Sequence, residues 1–254
     1  SLVAIGGHAV RLGYNVLHYT LELGEEYVGK RYDAFFTKIP VNKVDSHRDK
    51  IEDIIPQLPG QLIIKEYPTG RASVSTIESH IAKSTSMGVK PDLVIIDYVD
   101  LLSSRKTNRE RKDEIDDIYT STKGLARQLN IPIWSVSQVN RAGAQDKVIQ
   151  GDKAAGSYDK IMITDFCMSL SRKKEDKVNN TGRFHLMKNR YGMDGITFGI
   201  QADTSTGHFV VKDEYVEGEE SDNLAPSLKS NKFDTDVDTF DKQLLRKKFF
   251  ELNT

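Results

Sequence analysis

The segment "DLVIIDYVDLL", Asp92 to Leu102, constrains the fold more than any other part of the chain. Its apolar run is rich in β-branched residues and lacks polar alternation, which suits a strand covered on both faces, as in the centre of a parallel sheet. An acid, Asp97, follows at the strand end. Ligands in such sheets bind outside the carboxyl ends of the strands, so Asp97 is placed where chemistry is expected.

The flanking sequence supports this arrangement by alternating helical and strand patterns. "SLVAIGGHAVRLGY" spaces its apolar residues as one helix face with a stop at Gly13, although Gly6-Gly7 weakens the pattern. "NVLHYTLEL" reads as a strand, "EEYVGKRYDAFFTK" as a helix, "QLIIKEY" as a strand and "SVSTIESHIAKSTSMG" as a helix capped by Ser73. Beyond the central strand, "RKDEIDDIYTSTKGLARQLN" reads as an amphipathic helix, and "IPIWSVSQ" and "KIMITDFCMSLSR" as strands. "TGRFHLMKNR" and "GITFGIQAD" read as late antiparallel strands. The expected fold class is α/β: three layers around a mainly parallel sheet, with late antiparallel strands.

With 254 residues, 38 % of them hydrophobic, the chain can bury a sizeable core. We divide it into a core over 1–212, an acidic polar linker over 213–238 and an amphipathic helix over 239–254. That helix sets Phe240, Leu244, Leu245, Phe249 and Leu252 on one face. The single cysteine, Cys167, excludes an internal disulfide and a Cys-rich zinc site, and no apolar run is long enough to span a bilayer. A cytoplasmic setting without membrane insertion is expected. A net charge of −1 gives no global nucleic-acid signature, so any polyanion contact must be local. "SSRKTNRERK", 103–112, is such a patch, with five basic residues and one acid.

Three strand ends carry residues able to share one site: Glu22 in "YTLELGEE", Asp97 in "VIIDY", and Ser137 with Gln138 in "SVSQVNR". Two carboxylates and an amide at one sheet edge suit metal-assisted hydrolysis of a phosphoanhydride. Each alone has an ordinary explanation. An acid after a strand caps a turn, and a lone Glu sits in solvent. The string "GGHAVRLG" is no phosphate loop, because it lacks the preceding strand and the Lys-Ser/Thr pair.

Four stretches, in order and spacing, resemble the motor domain of hexameric DnaB-type replicative DNA helicases and their phage relatives. They are "LHYTLELGEEYVGKRYDA", "DLVIIDYVDLL", "RKTNRERKDEIDDIYTSTKGLARQLNIPIWSVSQVNRAG" and "HLMKNRYGMDGITF". The likeness runs from about Ser1 to Val211, and "IDYVDLL" and "SQVNR" are its most specific parts. It implies a RecA-like fold, ATP and Mg²⁺ as cofactors, and a hexameric ring that translocates on single-stranded DNA and unwinds duplex by hydrolysis at subunit interfaces. Primase and a helicase loader are the implied partners. The setting would be the host cytoplasm if the gene is phage-borne.

The resemblance also assigns roles. Asp97 looks like the Walker B acid on Mg²⁺, Glu22 like the catalytic base, and Gln138 like the residue linking the γ-phosphate to the DNA loops, with Ser137 beside it in the nucleotide site. Lys188 and Arg190 in "KNRYG" resemble the basic pair that reaches a neighbouring subunit's nucleotide. A guanidinium there would stabilise charge on the transferred phosphoryl group. On an edge strand the same two residues would simply discourage aggregation. The implied DNA loops are Ser103 to Lys112, with Arg105, Lys106, Arg109, Arg111 and Lys112, and Ala142 to Gly156, with Lys147 and Lys153. Lacking aromatics, the first loop would bind the backbone without sequence preference. It could equally be a solvated helix start with charges paired along the helix.

In the family, a G-x-x-x-x-G-K-[ST] loop precedes the helix that here begins the chain. The chain therefore looks cut just after that loop, and alone it is expected to bind ATP poorly. The competing expectations are a complete, non-hydrolysing DNA-binding or assembly module on a RecA-like scaffold, and a recombinase- or clock-type ATPase.

Overall fold

The computed structural model describes residues 2–104, 111–138 and 158–214. The chain divides into two units, 1–215 and 216–254, of which only the first is described; the amphipathic-helix reading lies outside it.

Four parallel strands form the central sheet in the order β2-β1-β3-β4: β1 (Val16–Thr20), β2 (Leu62–Glu66), β3 (Leu93–Asp97) and β4 (Ile133–Ser135). The side chains of β3 alternate between two cores. Leu93 and Ile95 join α1 (Leu2–Arg11) and α2 (Glu25–Thr37), whereas Val94 and Ile96 join α4 (Val74–Ser86) and α5 (Arg111–Leu129). β1 does likewise, Val16 facing the first pair of helices and Leu17 and Tyr19 the second. This two-sided burial accounts for the unbroken apolar run, because neither face of the sheet has water to satisfy. Burying Val94, Ile95 and Ile96, each at most 1 % exposed, contributes about 1.5–3 kcal/mol apiece.

Gly6 and Gly7 sit inside α1, and their lack of a side chain sets the helix spacing. A Cβ on Gly6 would lie 2.2 Å from the Tyr32 hydroxyl, and one on Gly7 2.4 Å from the Phe35 ring. The pair that weakens the helical pattern is thus what lets α1 lie against α2. Gly13, with φ +91°, ends the helix turn as expected. At α4, Ser73 Oγ accepts the Thr76 N–H and Thr76 Oγ1 accepts the Ser73 N–H, a reciprocal cap.

The antiparallel strands make a sheet of their own, ordered β5-β6-β7-β8: β5 (Phe166–Ser171), β6 (Thr181–Asn189), β7 (Thr197–Ala202) and β8 (Phe209–Glu214). Trp134 of β4 meets Phe166 of β5 with ring centroids 5.7 Å apart. Three further differences from the sequence reading stand out. Lys160–Ile163, read as strand, belongs to α6 (Tyr158–Ile163), since a short apolar run has no period to separate helix from strand. The short helices α3 (Arg48–Ile54) and α7 (Lys174–Val178) and the strand β8 had no clear pattern. β8 also runs two residues into the segment read as linker.

Candidate active site

Parallel pairing brings the carboxyl ends of β1, β3 and β4 to one edge. Thr20 stands opposite Asp97, and Ile96 opposite Ser135. β1 stops at Thr20, so Glu22 lies on the turn after it and not on the strand as read. That turn is well held. Thr20 Oγ1 donates to the Leu23 carbonyl at 2.7 Å and accepts its N–H at 3.2 Å, the Leu21 N–H donates to the Asp97 carbonyl at 2.8 Å, and Thr69 Oγ1 donates to the Leu21 carbonyl at 2.7 Å.

Glu22 is exposed, and its charge reaches Asp97. Burial raises the Asp97 carboxyl above its ordinary range and the Glu22 carboxylate raises it further, while Arg31 of α2 opposes both. The Tyr98 phenol is raised by burial and by Glu22, Asp100 and Asp97 together, so the strand ends form a region of concentrated negative charge. The Asp97–Tyr98 peptide is cis.

Among the described residues no group of three His, Cys, Asp or Glu side chains is placed to hold a metal alone. One or two carboxylates fit Mg²⁺, which keeps much of its water and takes its remaining ligands from substrate phosphates. Asp97 and Glu22 meet that requirement.

At β4 the hydroxyls do the joining. Ser135 Oγ donates to the Ile96 carbonyl at 2.8 Å and accepts the Val99 N–H at 3.0 Å. Ser137 Oγ donates to Asp100 Oδ2 at 2.8 Å and accepts from Lys160 Nζ at 3.0 Å, and Lys160 pairs with Asp100 Oδ1 at 2.9 Å. Both charged side chains are nearly enclosed, at 12 % and 14 % exposure. Lys160 also lies 5.4 Å from the centre of the Tyr119 ring, whose phenol is raised by burial and by Asp100. Asp100, Lys160 and Tyr119 escaped the sequence reading; the second acid of "IDYVD" was the available signal. Gln138 is exposed beside them, at the end of the described stretch.

Lys188 and Arg190 gather elsewhere. Lys188 Nζ donates to the carbonyls of Ile161 at 2.8 Å and Met162 at 2.7 Å, so its cation faces the C-terminal end of α6. Burial, with Arg190 and Lys123 nearby, lowers its ammonium below the ordinary range, with Asp165 opposing. Half-exposed Arg190 lies 3.4 Å from Asp165, which Lys123 also holds at 2.8 Å. β6 lies between β5 and β7, but Lys188 is registered with Cys167 of β5 beyond the His185–Thr197 end of the β6–β7 pairing, and Arg190 lies just past the strand. The link from Lys188 to the strand ends runs through α6, which carries Lys160.

Of the basic residues read as DNA contacts, Arg105, Lys106, Arg109, Lys147 and Lys153 lie outside the described residues. Arg111 donates to the Asp100 carbonyl at 2.8 Å and pairs with Glu114 at 3.3 Å, and Lys112 pairs with Asp159 at 2.8 Å. Both keep more than half of their side-chain surface exposed.

A family model described as the DnaB-like helicase C-terminal domain matches residues 3–210. The chain belongs to that family. Among its relatives, the DnaB-like replicative helicase of Enterobacteria phage T4 is 24 % identical over 208 residues, covering 76 % of this chain and 43 % of that protein. The replicative DNA helicase DnaB of Mycoplasma genitalium is 26 % identical over 211 residues, covering 75 % and 44 %. The chain thus spans less than half the length of these relatives. In fold, this DnaB-like domain is similar to a structure described as the ATPase domain of G40P, with TM-score 0.71, 23 % identity, and coverage of 82 % of this chain and 78 % of that one. It is similar also to a DnaB-like replicative helicase studied with its interactions with primase, with TM-score 0.70, 22 % identity and coverage of 82 % and 53 %. The RecA-like reading of the fold therefore holds.

Proposed function

We propose that this chain is the motor domain of a replicative DNA helicase that hydrolyses ATP at subunit interfaces of a ring and moves along single-stranded DNA. The observation that carries the reading is the placement of Glu22 beside Asp97 at the carboxyl edge of the parallel sheet, in a chain of the DnaB-like family. Asp97 holds the hydration shell of the metal, and Glu22, exposed and one turn away, orients the attacking water and accepts its proton. Bound Mg²⁺ supplies charge neutralisation across the phosphates. Gln138, with Ser137 beside it, faces the terminal phosphate, while Lys188 and Arg190 serve the nucleotide of an adjacent subunit. Arg105, Lys106, Arg109, Arg111, Lys112, Lys147 and Lys153 neutralise DNA phosphates. A ring, a primase and a loader are the partners of this reading, and the phosphate-cradling loop belongs to the longer protein.

The test is ATP turnover by the full-length protein with Mg²⁺ and single-stranded DNA. Glu22→Gln should reduce hydrolysis by at least about a hundredfold and leave nucleotide affinity intact. Retained hydrolysis removes Glu22 from the role of base.

A further inference from the structure

Asp165, the residue just before β5, offers one carboxylate oxygen to two cations. Lys123 Nζ and a guanidinium nitrogen of Arg190 both address Oδ1, the first at 2.8 Å and the second at 3.4 Å. Lys123 is the better placed. Its ammonium also donates to the Ile163 carbonyl at 2.8 Å, and its side chain is 22 % exposed against 50 % for Arg190. The hydrogen bond from Lys123 is the largest influence holding the Asp165 carboxyl below its ordinary range, with burial opposing it and the charges of Arg190 and Lys188 adding less.

The backbone at Arg190 is fixed while its guanidinium is held loosely. The Arg190 N–H donates to the Asp165 carbonyl at 3.0 Å. Asn189 braces the turn that follows, its Nδ2 donating to the Met193 carbonyl at 3.2 Å and its Oδ1 accepting the Tyr191 N–H at 3.1 Å. A single 3.4 Å approach falls short of the bidentate geometry that makes Arg–carboxylate pairs strong, and an exposed pair of this kind adds little to stability. Lys188 is committed to two carbonyls of α6, and its ammonium feels the charges of both Arg190 and Lys123. Among the described residues, three cations thus surround one acid, and Arg190 is the one most easily released.

We propose that Lys123 is a positioning residue for Arg190: by occupying Asp165 Oδ1 it keeps the carboxylate from closing a bidentate pair with the guanidinium, which stays rooted yet able to transfer to an anionic group on a second copy of this chain. Without Lys123, both oxygens of Asp165 capture Arg190, and that pair must break each time the guanidinium is used. The proposal rests on the reading that Arg190 serves the nucleotide of an adjacent subunit. A purely structural Lys123 would only tie α5 to the junction of α6 and β5, and its loss would lower stability and turnover together.

The test is steady-state ATP turnover by the full-length protein with Mg²⁺ and single-stranded DNA, beside thermal melting. Arg190→Ala comes first: parent-like turnover there, or a parent without turnover, refutes the interface reading and the positioning role with it. With Arg190→Ala impaired, Lys123→Met, which keeps the stem and removes the charge, should lower kcat about tenfold and leave the KM for ATP within about twofold, because Arg190 acts in the transition state. Adding Asp165→Asn to Lys123→Met removes the charge that captures Arg190 and should restore kcat to within about threefold of the parent, although it restores no ion pair. A structural role predicts no such recovery. Parent-like kcat in Lys123→Met, or a double variant as impaired as the single one, overturns the proposal. If melting shows that Lys123→Met does not fold, Lys123→Gln decides. It keeps a donor for the Ile163 carbonyl without the charge, and should lower kcat at least about threefold, with recovery on adding Asp165→Asn; unchanged kcat, or no recovery, overturns the proposal.

Discussion

The backbone N–H of Leu21 donates to the carbonyl of Asp97 at 2.8 Å, and this bond carries the β1–β3 pairing one residue past the end of β1 and brings Glu22 beside the Asp97 carboxylate. The proximity has an energetic sign. A carboxyl whose folded pKa is raised above its unfolded value weakens the fold at neutral pH, and that penalty disappears as pH falls through the folded pKa. Asp97→Asn should therefore raise the melting temperature of the nucleotide-free protein while abolishing ATP hydrolysis. Calorimetry beside a phosphate-release assay checks both, and a lower melting temperature would mean that Asp97 is already compensated.

Gly6→Ala tests the contact between α1 and α2. The added methyl meets the Tyr32 hydroxyl, which is bonded to His18 Nδ1 at 2.8 Å and cannot swing away without breaking that bond. Overpacking of this kind costs about 1–3 kcal/mol, against about 1 kcal/mol gained in helix propensity. Net destabilisation is expected in urea titration. A gain in stability would show that the helices have room to separate.

Arg190 should affect turnover with little effect on stability, whereas Lys188 should affect both. Arg190→Ala removes a half-exposed partner of Asp165 and should hardly alter melting, yet reduce ATP turnover of the full-length protein by about a thousandfold if the proposed function holds. Lys188→Met leaves two carbonyls of α6 without their donor and should cost roughly 1–2 kcal/mol in chemical denaturation. Parent-like turnover in Arg190→Ala removes it from the interface site.

Two histidines predict acid sensitivity. Burial lowers His18 to about 4, and burial with the charges of Arg11, Lys38 and His8 lowers His208 to about 4. The unfolded chain binds protons on these rings from about pH 6.5 downward and the folded chain does not, so stability is complete above that pH and is lost as pH falls toward 4. Urea midpoints should decline across that window, and His208→Asn should flatten the decline.

Much of the fold was legible because its elements announce themselves locally: the apolar run of β3, the Ser73 cap, the helical spacing of α2 and α5. The strand-end acids were legible for the same reason: Asp97 closes the apolar run of β3, and Glu22 follows two residues after the end of β1. Lys160 was misread because "IMI" on its own has no period, and only packing distinguishes helix there. Its pairing with Asp100, sixty positions away, was invisible, as was the β4–β5 boundary between two sheets, since both depend on contacts that no window of sequence contains.

The enclosed Asp100–Lys160 pair finally bears on how this chain can diverge. Losing one member strands a charge away from water, whereas losing both together removes the problem. The two positions should therefore change in step across relatives, both charged or both neutral, and a lineage carrying only one of the two charges should be rare.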